Sequence, residues 1–253
     1  MIKFFRHIRQ RMIKENRASK YLLYAIGEIV LVVIGILIAL QINTWNENRK
    51  LEQKREDLIA NLIVDFRANK IDIKSALEKS TEQISRMNIF YQIIQGDQPE
   101  VSIDSLRKVM TGFFGAPEFS PVTTSYDEAL STGNIGLLNN KRLLESINSF
   151  NKNTRTFETL FERAQENFFM GSGWELRRHL GAKSLKAIAA GSNSIPGTVH
   201  EVLTTQEFKD LMQEDIVAAS LETSYLLLRN IDNALKDIEK DAENVLEVLK
   251  IDK

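Results

Sequence analysis

Residues 21–42 read YLLYAIGEIVLVVIGILIALQI, an apolar stretch that contains a single charged residue, Glu28. A helix rises about 1.5 Å per residue, so this stretch would extend about 33 Å, and the hydrocarbon core of a bilayer is about 30 Å thick. Tyr21 and Tyr24 stand at one end and Trp45 lies just past the other, where amphipathic aromatic side chains favour the interfaces. The stretch therefore predicts one transmembrane helix, 21–42.

A cleaved signal peptide is the alternative interpretation of this stretch. Its apolar region would be shorter, and a small-x-small cleavage site would follow it. Ala39-Leu40-Gln41 places a glutamine where a small residue is needed. We therefore expect an uncleaved signal anchor.

Basic residues are concentrated before the apolar stretch. Residues 1–20 contain seven lysines and arginines, whereas residues 43–62 contain four. Because the more basic flank stays in the cytoplasm, we expect a cytoplasmic tail, 1–20, and an exported domain, 43–253. Phe5, Ile8 and Met12 recur at helical spacing, so the tail is either a short helix on anionic lipid or an unstructured topogenic segment. The basic residues expected at the membrane surface are Lys3, Arg6, Arg9, Arg11, Lys14, Arg17 and Lys20.

Three residues inside the apolar stretch are candidates for contact with a partner helix. The charged Glu28 is costly in lipid, so it either extends to the cytoplasmic headgroups or makes a buried or proton-coupled contact with a partner. Gly35 and Ala39 are four residues apart, a spacing that lets a second helix approach closely. We expect the partners of the chain to be the lipid bilayer and either another protein or a second copy.

The remainder of the chain reads as helical. Apolar residues recur at helical spacing in three long segments, Leu51–Ile94, Leu143–Phe168 and Phe208–Leu249. No glycine or proline lies between Gly35 and Gly96, so the transmembrane helix is predicted to continue to about residue 95. We predict an all-α chain in which this helix continues into an antiparallel helical bundle.

Shorter elements are predicted between the long helices. Ser125–Glu128 reads as a capping box that opens a short helix, and Gly133 is placed to end it. Thr204–Glu207 reads as a second capping box at the start of the last helix. The other expected elements are short helices at Ile103–Thr111 and Trp174–Leu185, a loop at Gly191–Gly197 and one candidate strand at Thr198–Leu203.

Two stretches of the chain carry a family resemblance. MIKFFRHIRQ and the later KYLLYAIGEIVLVVIGILIALQINTWNENRK, which runs from Lys20 to Lys50, resemble the start of an uncharacterised family of single-pass inner-membrane proteins from flavobacterial-type bacteria. Tyr126–Phe150, YDEALSTGNIGLLNNKRLLESINSF, resembles the exported domain of that family. The resemblance implies an inner-membrane protein with a domain of unknown function, and it brings no catalytic residues.

Composition and spacing narrow the classes of function. The 253 residues include no cysteine, which excludes disulfides, thiolate metal sites and a cysteine nucleophile. The part of the chain after the tail is mildly acidic and would repel phosphate, so no nucleic-acid partner is expected. Glu175 and His179, four residues apart, read as a solvated helix pair rather than half of a metal site. We expect no cofactor, no metal and no enzymatic activity.

Two groups of aromatic residues have alternative interpretations. Phe157, Phe161, Phe168, Phe169 and Trp174 are expected to form bundle core, with an apolar pocket as the alternative. The loop aromatics cap the end of the bundle or contact a partner; they are Phe113, Phe114 and Phe119. Capping and solvated helix surface are expected for the asparagines Asn139, Asn140, Asn148, Asn151 and Asn153.

The function expected from these features is that of a membrane-anchored interaction or scaffold protein with a periplasmic helical domain. The alternative is an extracytoplasmic ligand-sensing helical bundle that signals through a partner.

Overall fold

The computed structural model describes residues 18–96, 102, 105, 108–109, 111–113, 115–174 and 205–251, and within these ranges it contains helices and no strand. The chain divides into two compact units, Met1–Asp57 and Leu58–Lys253. The α-helices are α1 (Ala18–Ile94), α2 (Thr124–Ser131), α3 (Lys141–Phe169), α4 (Thr205–Met212) and α5 (Asp215–Ile251), with short 3-10 helices at Thr111–Phe113 and Asn134–Leu137. The all-α prediction is confirmed.

Helix α1 is 77 residues long and joins the apolar stretch to the bundle without interruption. It ends in a turn at Gly96, whose φ of 86° is in the left-handed region that favours glycine. The prediction of one helix from the apolar stretch to about residue 95 is confirmed. The absence of glycine and proline between Gly35 and Gly96 explains the length of this helix.

The second unit is a bundle of α1 from residue 58 onward, α3 and α5, and side-chain pairs give the helix directions. Lys70 pairs with Glu243 at 2.6 Å, and Ser80 donates to Asp232 at 2.9 Å, so α5 runs antiparallel to α1. The Phe66 ring meets the Phe150 ring at 4.9 Å.

Phe66 of α1 contacts Phe150 of α3, and further along both helices Met87 of α1 and Ala164 of α3 line one small cavity. Because residue numbers increase in the same direction along both helices, α3 runs parallel to α1. The antiparallel bundle is therefore formed by α5 against two parallel helices. The connection from α1 to α3 must return along the bundle for α3 to begin at the same end as residue 58 of α1.

Polar side chains of α1 hold this returning connection. Asn69 is fully buried, its Nδ2 donates to the carbonyl oxygen of Val122 at 2.9 Å, and its Oδ1 accepts from the Val122 N–H at 2.7 Å. One asparagine thus satisfies both backbone groups of a residue that belongs to no helix. The connection is fixed by a side chain 53 residues earlier in the chain.

Replacing Asn69 with alanine is expected to destabilise the bundle by about 1–3 kcal/mol, because both Val122 backbone groups lose their partners. The free energy of unfolding of the full chain in detergent micelles, followed by circular dichroism in urea, measures the effect. Asn61→Ala is the matched control, since Asn61 is exposed in the same helix, and we expect a change of less than about 0.5 kcal/mol. Equal losses for the two variants would show that the Asn69–Val122 pair contributes nothing.

The predicted capping box at Ser125 is wrong. Helix α2 begins one residue earlier, at Thr124, and its N-cap, Thr123, makes no side-chain hydrogen bond to the backbone. The N–H of Ser125 donates instead to Asp65 of α1 at 2.9 Å. A carboxylate from the long helix therefore caps α2, which makes a local capping residue unnecessary. Gly133 does follow the end of this helix, with a φ of 73°, as predicted.

The last helical segment is interrupted, whereas the sequence predicts one helix from Phe208 to Leu249. Helix α4 ends at Met212, and α5 begins at Asp215 after a turn. The Gln213 side chain in this turn donates to the carbonyl oxygen of Ile94 at 3.1 Å. It thereby satisfies an acceptor at the end of α1 that has no partner within its own helix.

Two clusters of buried apolar side chains form the core. The larger joins α1, α3 and α5, and the smaller joins the later part of α1 to Phe113, Met212 and the start of α5. Phe113 and Phe119 are both buried. The alternative in which these two loop aromatics contact a partner is therefore wrong.

Several predicted elements and residues lie partly or wholly outside the described residues. They are Phe114, the Ile103–Thr111 and Trp174–Leu185 helices, the loop at Gly191–Gly197, the candidate strand at Thr198–Leu203, Thr204 of the second capping box, and the Glu175–His179 pair.

Candidate functional site

The first candidate site is the surface of α1 between Leu22 and Ile42. No side chain in this stretch is buried, although 18 consecutive residues of the helix here have a mean hydropathy of 2.7. Among the described residues, α1 is the one helix long and apolar enough to cross a membrane. Contiguous apolar surface of this extent indicates an interaction with lipid or protein.

Glu28, Gly35 and Ala39 lie on one face of this stretch. At about 100° per residue, Gly35 is about 20° behind Glu28 around the helix and Ala39 about 20° ahead of it. A methyl group added at Gly35 would meet no atom within 4 Å, so this face is open at its smallest residue. The structure thus places the three predicted contact residues on one accessible stripe.

Gly27 is a feature of this surface that the sequence interpretation missed. It opens a shallow groove beside Glu28, walled by Leu23, Tyr24 and Leu31. The sequence does contain a signal for this groove, because Gly27 directly precedes the one charged residue of the stretch. At about 100° per residue, Gly27 lies to one side of the stripe, and the groove meets the stripe at Glu28.

The predicted membrane-surface residues Lys3, Arg6, Arg9, Arg11, Lys14 and Arg17 lie outside the described residues, and Lys20 is described only as part of α1. Their contact with lipid stays a prediction. At the other end of the stretch, the Arg49 guanidinium lies 6.0 Å from the centre of the Trp45 ring. This cation–π contact holds the indole beside a charge one turn further along the helix.

Two ionisable groups of the bundle have shifted pKa values. A hydrogen bond from Lys70 to Glu243, together with the charge of that glutamate, raises the pKa of Lys70 above its ordinary value. Burial, with smaller contributions from Glu222 and Tyr225, raises the pKa of Tyr91 to about 12. Both shifts move titration further from neutral pH, so neither group is tuned for acid–base catalysis there.

The described residues contain no group of three or more histidines, aspartates or glutamates placed to hold a metal ion. All three histidines, His7, His179 and His200, lie outside these residues. The expectation for the Glu175–His179 pair therefore stays a prediction.

The aromatic run of α3 divides into buried and exposed members. Phe157 is buried, meets the Phe119 ring at 5.8 Å and stacks on Phe161, so the core prediction is confirmed for this part. Phe169 is 59% exposed and Trp174 is 48% exposed. The core prediction is wrong for these two, because about half of each side chain or more is exposed at and beyond the end of α3.

The asparagines of α3 also divide. Asn140 caps α3 by accepting from the Leu143 N–H at 3.0 Å, as predicted. Asn153 is not a solvated surface residue, because its Nδ2 donates to Asp241 of α5 at 2.7 Å. Ser149 donates to the same carboxylate at 3.0 Å, so Asp241 joins α3 to α5.

A family model described as a family of unknown function, DUF6090, matches residues 28–165, more than half of the chain. The match covers the stripe from Glu28 onward, the returning connection and most of α3. No curated protein and no solved structure matches the chain.

Proposed function

We propose that this chain, which belongs to the DUF6090 family of unknown function, is a single-pass membrane protein that binds a protein partner. The observation that carries the proposal is the exposed apolar stretch of α1. Burial of a Leu, Ile or Val side chain contributes about 1.5–3 kcal/mol, and this stretch holds many of them outside any core. Lipid therefore stabilises the stretch far more than water does.

The inner membrane of a bacterium is the proposed location, with the N-terminus in the cytoplasm and the bundle in the periplasm. The family resemblance supports the inner membrane. The excess of basic residues before the stretch supports the orientation. In this topology the bundle lies in the periplasm. There it acts as an interaction or scaffold domain that binds other envelope proteins.

The Glu28, Gly35 and Ala39 stripe is the proposed contact with the partner. A carboxylate inside a bilayer carries a cost of about a few kcal/mol, which favours a helix–helix contact over lipid tails as its surroundings. Gly35 and Ala39 lie on the same face and let the second backbone approach closely. The partner is either another membrane protein or a second copy of this chain.

Photo-crosslinking in native membranes tests this contact. A photoreactive amino acid at position 39 is expected to give protein adducts at least about threefold more abundant than the same amino acid at position 37. Leu37 is about 160° around the helix from Ala39, so it reports the opposite face at nearly the same depth. Equal adduct yields at the two positions, or no protein adduct at either, would contradict the proposed contact.

A further inference from the structure

A groove of about 670 Å³ opens in the bundle unit between α3 on one side and α2 with the preceding residues Pro121 and Thr123 on the other. Tyr126 and Leu130 of α2 and Pro121 of the connection give it an apolar wall. Its volume falls within the range of about 300–1,000 Å³ that is typical of small-molecule sites. No feature of the sequence pattern pointed to this groove.

The opposite wall is a polar face of α3. Asn148, Lys152 and Arg155 follow one another at steps of four and three, so they lie on one side of the helix. Neither Lys152 nor Arg155 forms an ion pair with any residue that the structure describes. The groove therefore presents an ammonium and a guanidinium that have no anionic partner.

Thr154 lines the same groove and is only 5% exposed, yet its hydroxyl has no hydrogen-bond partner among the described residues. Two other threonines of α3 behave differently. Thr156 donates to the carbonyl oxygen of Lys152 at 3.2 Å, and Thr159 donates to that of Arg155 at 3.0 Å. A buried hydroxyl without such a bond is costly, and a ligand that reaches the Thr154 hydroxyl from the groove would supply the missing partner.

Carboxylates border the groove as well. Asp127 of α2 accepts from the Thr123 hydroxyl at 2.7 Å, and Glu158 of α3 stands one turn past Arg155. Two cations and two carboxylates around one groove disfavour a ligand of high net charge. They complement a ligand that carries one charge of each sign.

We propose that this groove binds a small zwitterion with an apolar body, either a free α-amino acid or a short peptide. The carboxylate is recognised by Lys152 and Arg155, since a guanidinium binds a carboxylate through two parallel hydrogen bonds. The ammonium group lies toward Asp127 or Glu158. The apolar body packs against the wall formed by Tyr126 and Leu130.

Calorimetric titration of the full chain in nanodiscs tests the proposal. The probes are leucine, trileucine, N-acetylleucine and leucinamide, which separate the free amino acid from the peptide and remove either the ammonium or the carboxylate. We expect saturable binding of leucine or trileucine below about 1 mM and binding at least about tenfold weaker for the two blocked compounds. If neither zwitterion binds, or if N-acetylleucine binds as tightly as leucine, the proposal is overturned.

Variants of α3 locate the binding in the groove. Arg155→Ala is expected to weaken binding by about tenfold or more, because it removes both charge-assisted hydrogen bonds of the guanidinium to the carboxylate. Arg142→Ala is the matched control, because Arg142 is an exposed arginine of the same helix away from the groove, and it should leave the affinity unchanged. Equal weakening by the two variants would overturn the assignment of this groove.

Thr154→Val removes the unpaired hydroxyl while keeping the shape of the side chain. It is expected to raise the melting temperature of the ligand-free chain and to weaken binding of the zwitterion. A lowered melting temperature together with unchanged affinity would show that the hydroxyl serves the fold and not a ligand. Failure of these tests would leave the membrane anchor and the partner contact unaffected, because neither depends on the groove.

Discussion

Replacing Val33 and Ile34 together with arginine is expected to release the chain from the membrane. Both residues lie near the middle of the apolar stretch and are exposed in the structure. An arginine at the centre of a transmembrane helix costs about 2.5–3.5 kcal/mol, and the two apolar residues each lose a favourable contribution of about 0.3–0.6 kcal/mol. The double variant therefore disfavours insertion by about 6–8 kcal/mol.

The fraction of the chain that stays in the membrane pellet after alkaline extraction measures this effect. The unaltered chain should remain in the pellet, whereas the double arginine variant should appear in the supernatant or be degraded. A variant with Val33→Leu and Ile34→Leu keeps the stretch apolar and should behave like the unaltered chain. Retention of the arginine variant in the pellet would mean that this stretch does not anchor the chain.

Truncating Phe150 to alanine should cause the largest loss of stability among single changes in the bundle. Phe150 is 1% exposed, and its ring meets that of Phe66 at 4.9 Å in an edge-to-face contact between α3 and α1. Loss of a buried phenylalanine typically costs about 3–5 kcal/mol, because the cavity adds to the lost apolar burial. That loss is a large part of the 5–15 kcal/mol that usually stabilises a domain.

Phe169→Ala is the matched control, because it makes the same chemical change in the same helix at a residue that is 59% exposed. We expect a loss below about 1 kcal/mol for it. Urea unfolding of the full chain in micelles, followed by helical circular dichroism, gives both values. Similar losses for Phe150→Ala and Phe169→Ala would contradict the packing of α3 against α1 described above.

The long helices were predictable because local features decide them. An apolar repeat with no glycine or proline after Gly35 determines α1 as far as Ile94, and the same reasoning identifies α3 between Lys141 and Phe169. Helical periodicity also indicates which face of each helix is buried. These parts of the fold follow from residues that are close together in the sequence.

The errors of the sequence interpretation occur where a distant residue supplies the deciding contact. Asp65 caps α2 from 60 residues away, and Gln213 bonds to Ile94 across 119 residues, so neither contact leaves a local signal. For Phe113 the sequence left two alternatives, capping the end of the bundle or contacting a partner, and its burial in the core decides against the partner contact. Sequence periodicity cannot indicate such contacts, because they depend on how the connection folds back.

The two candidate sites, the stripe on α1 and the groove beside α3, also differ in whether the sequence could predict them. The stripe of Glu28, Gly35 and Ala39 was predictable from helical spacing alone, and the structure adds Gly27 and the openness of this face. The groove beside Thr154 was not predictable, since Thr154 occupies a core position between Phe150 and Phe157. Only the three-dimensional arrangement shows that its hydroxyl lacks a partner.

Single-cysteine labelling tests most directly the claim that the apolar stretch spans a membrane and separates the tail from the bundle. The chain has no cysteine, so a Ser75→Cys variant and a Gln10→Cys variant each carry one reactive thiol. Ser75 is exposed in the bundle part of α1. A membrane-impermeant maleimide should label the Ser75→Cys variant in intact spheroplasts, and the Gln10→Cys variant only after lysis. Labelling of both variants only after lysis, or labelling in the reverse pattern, would contradict the account.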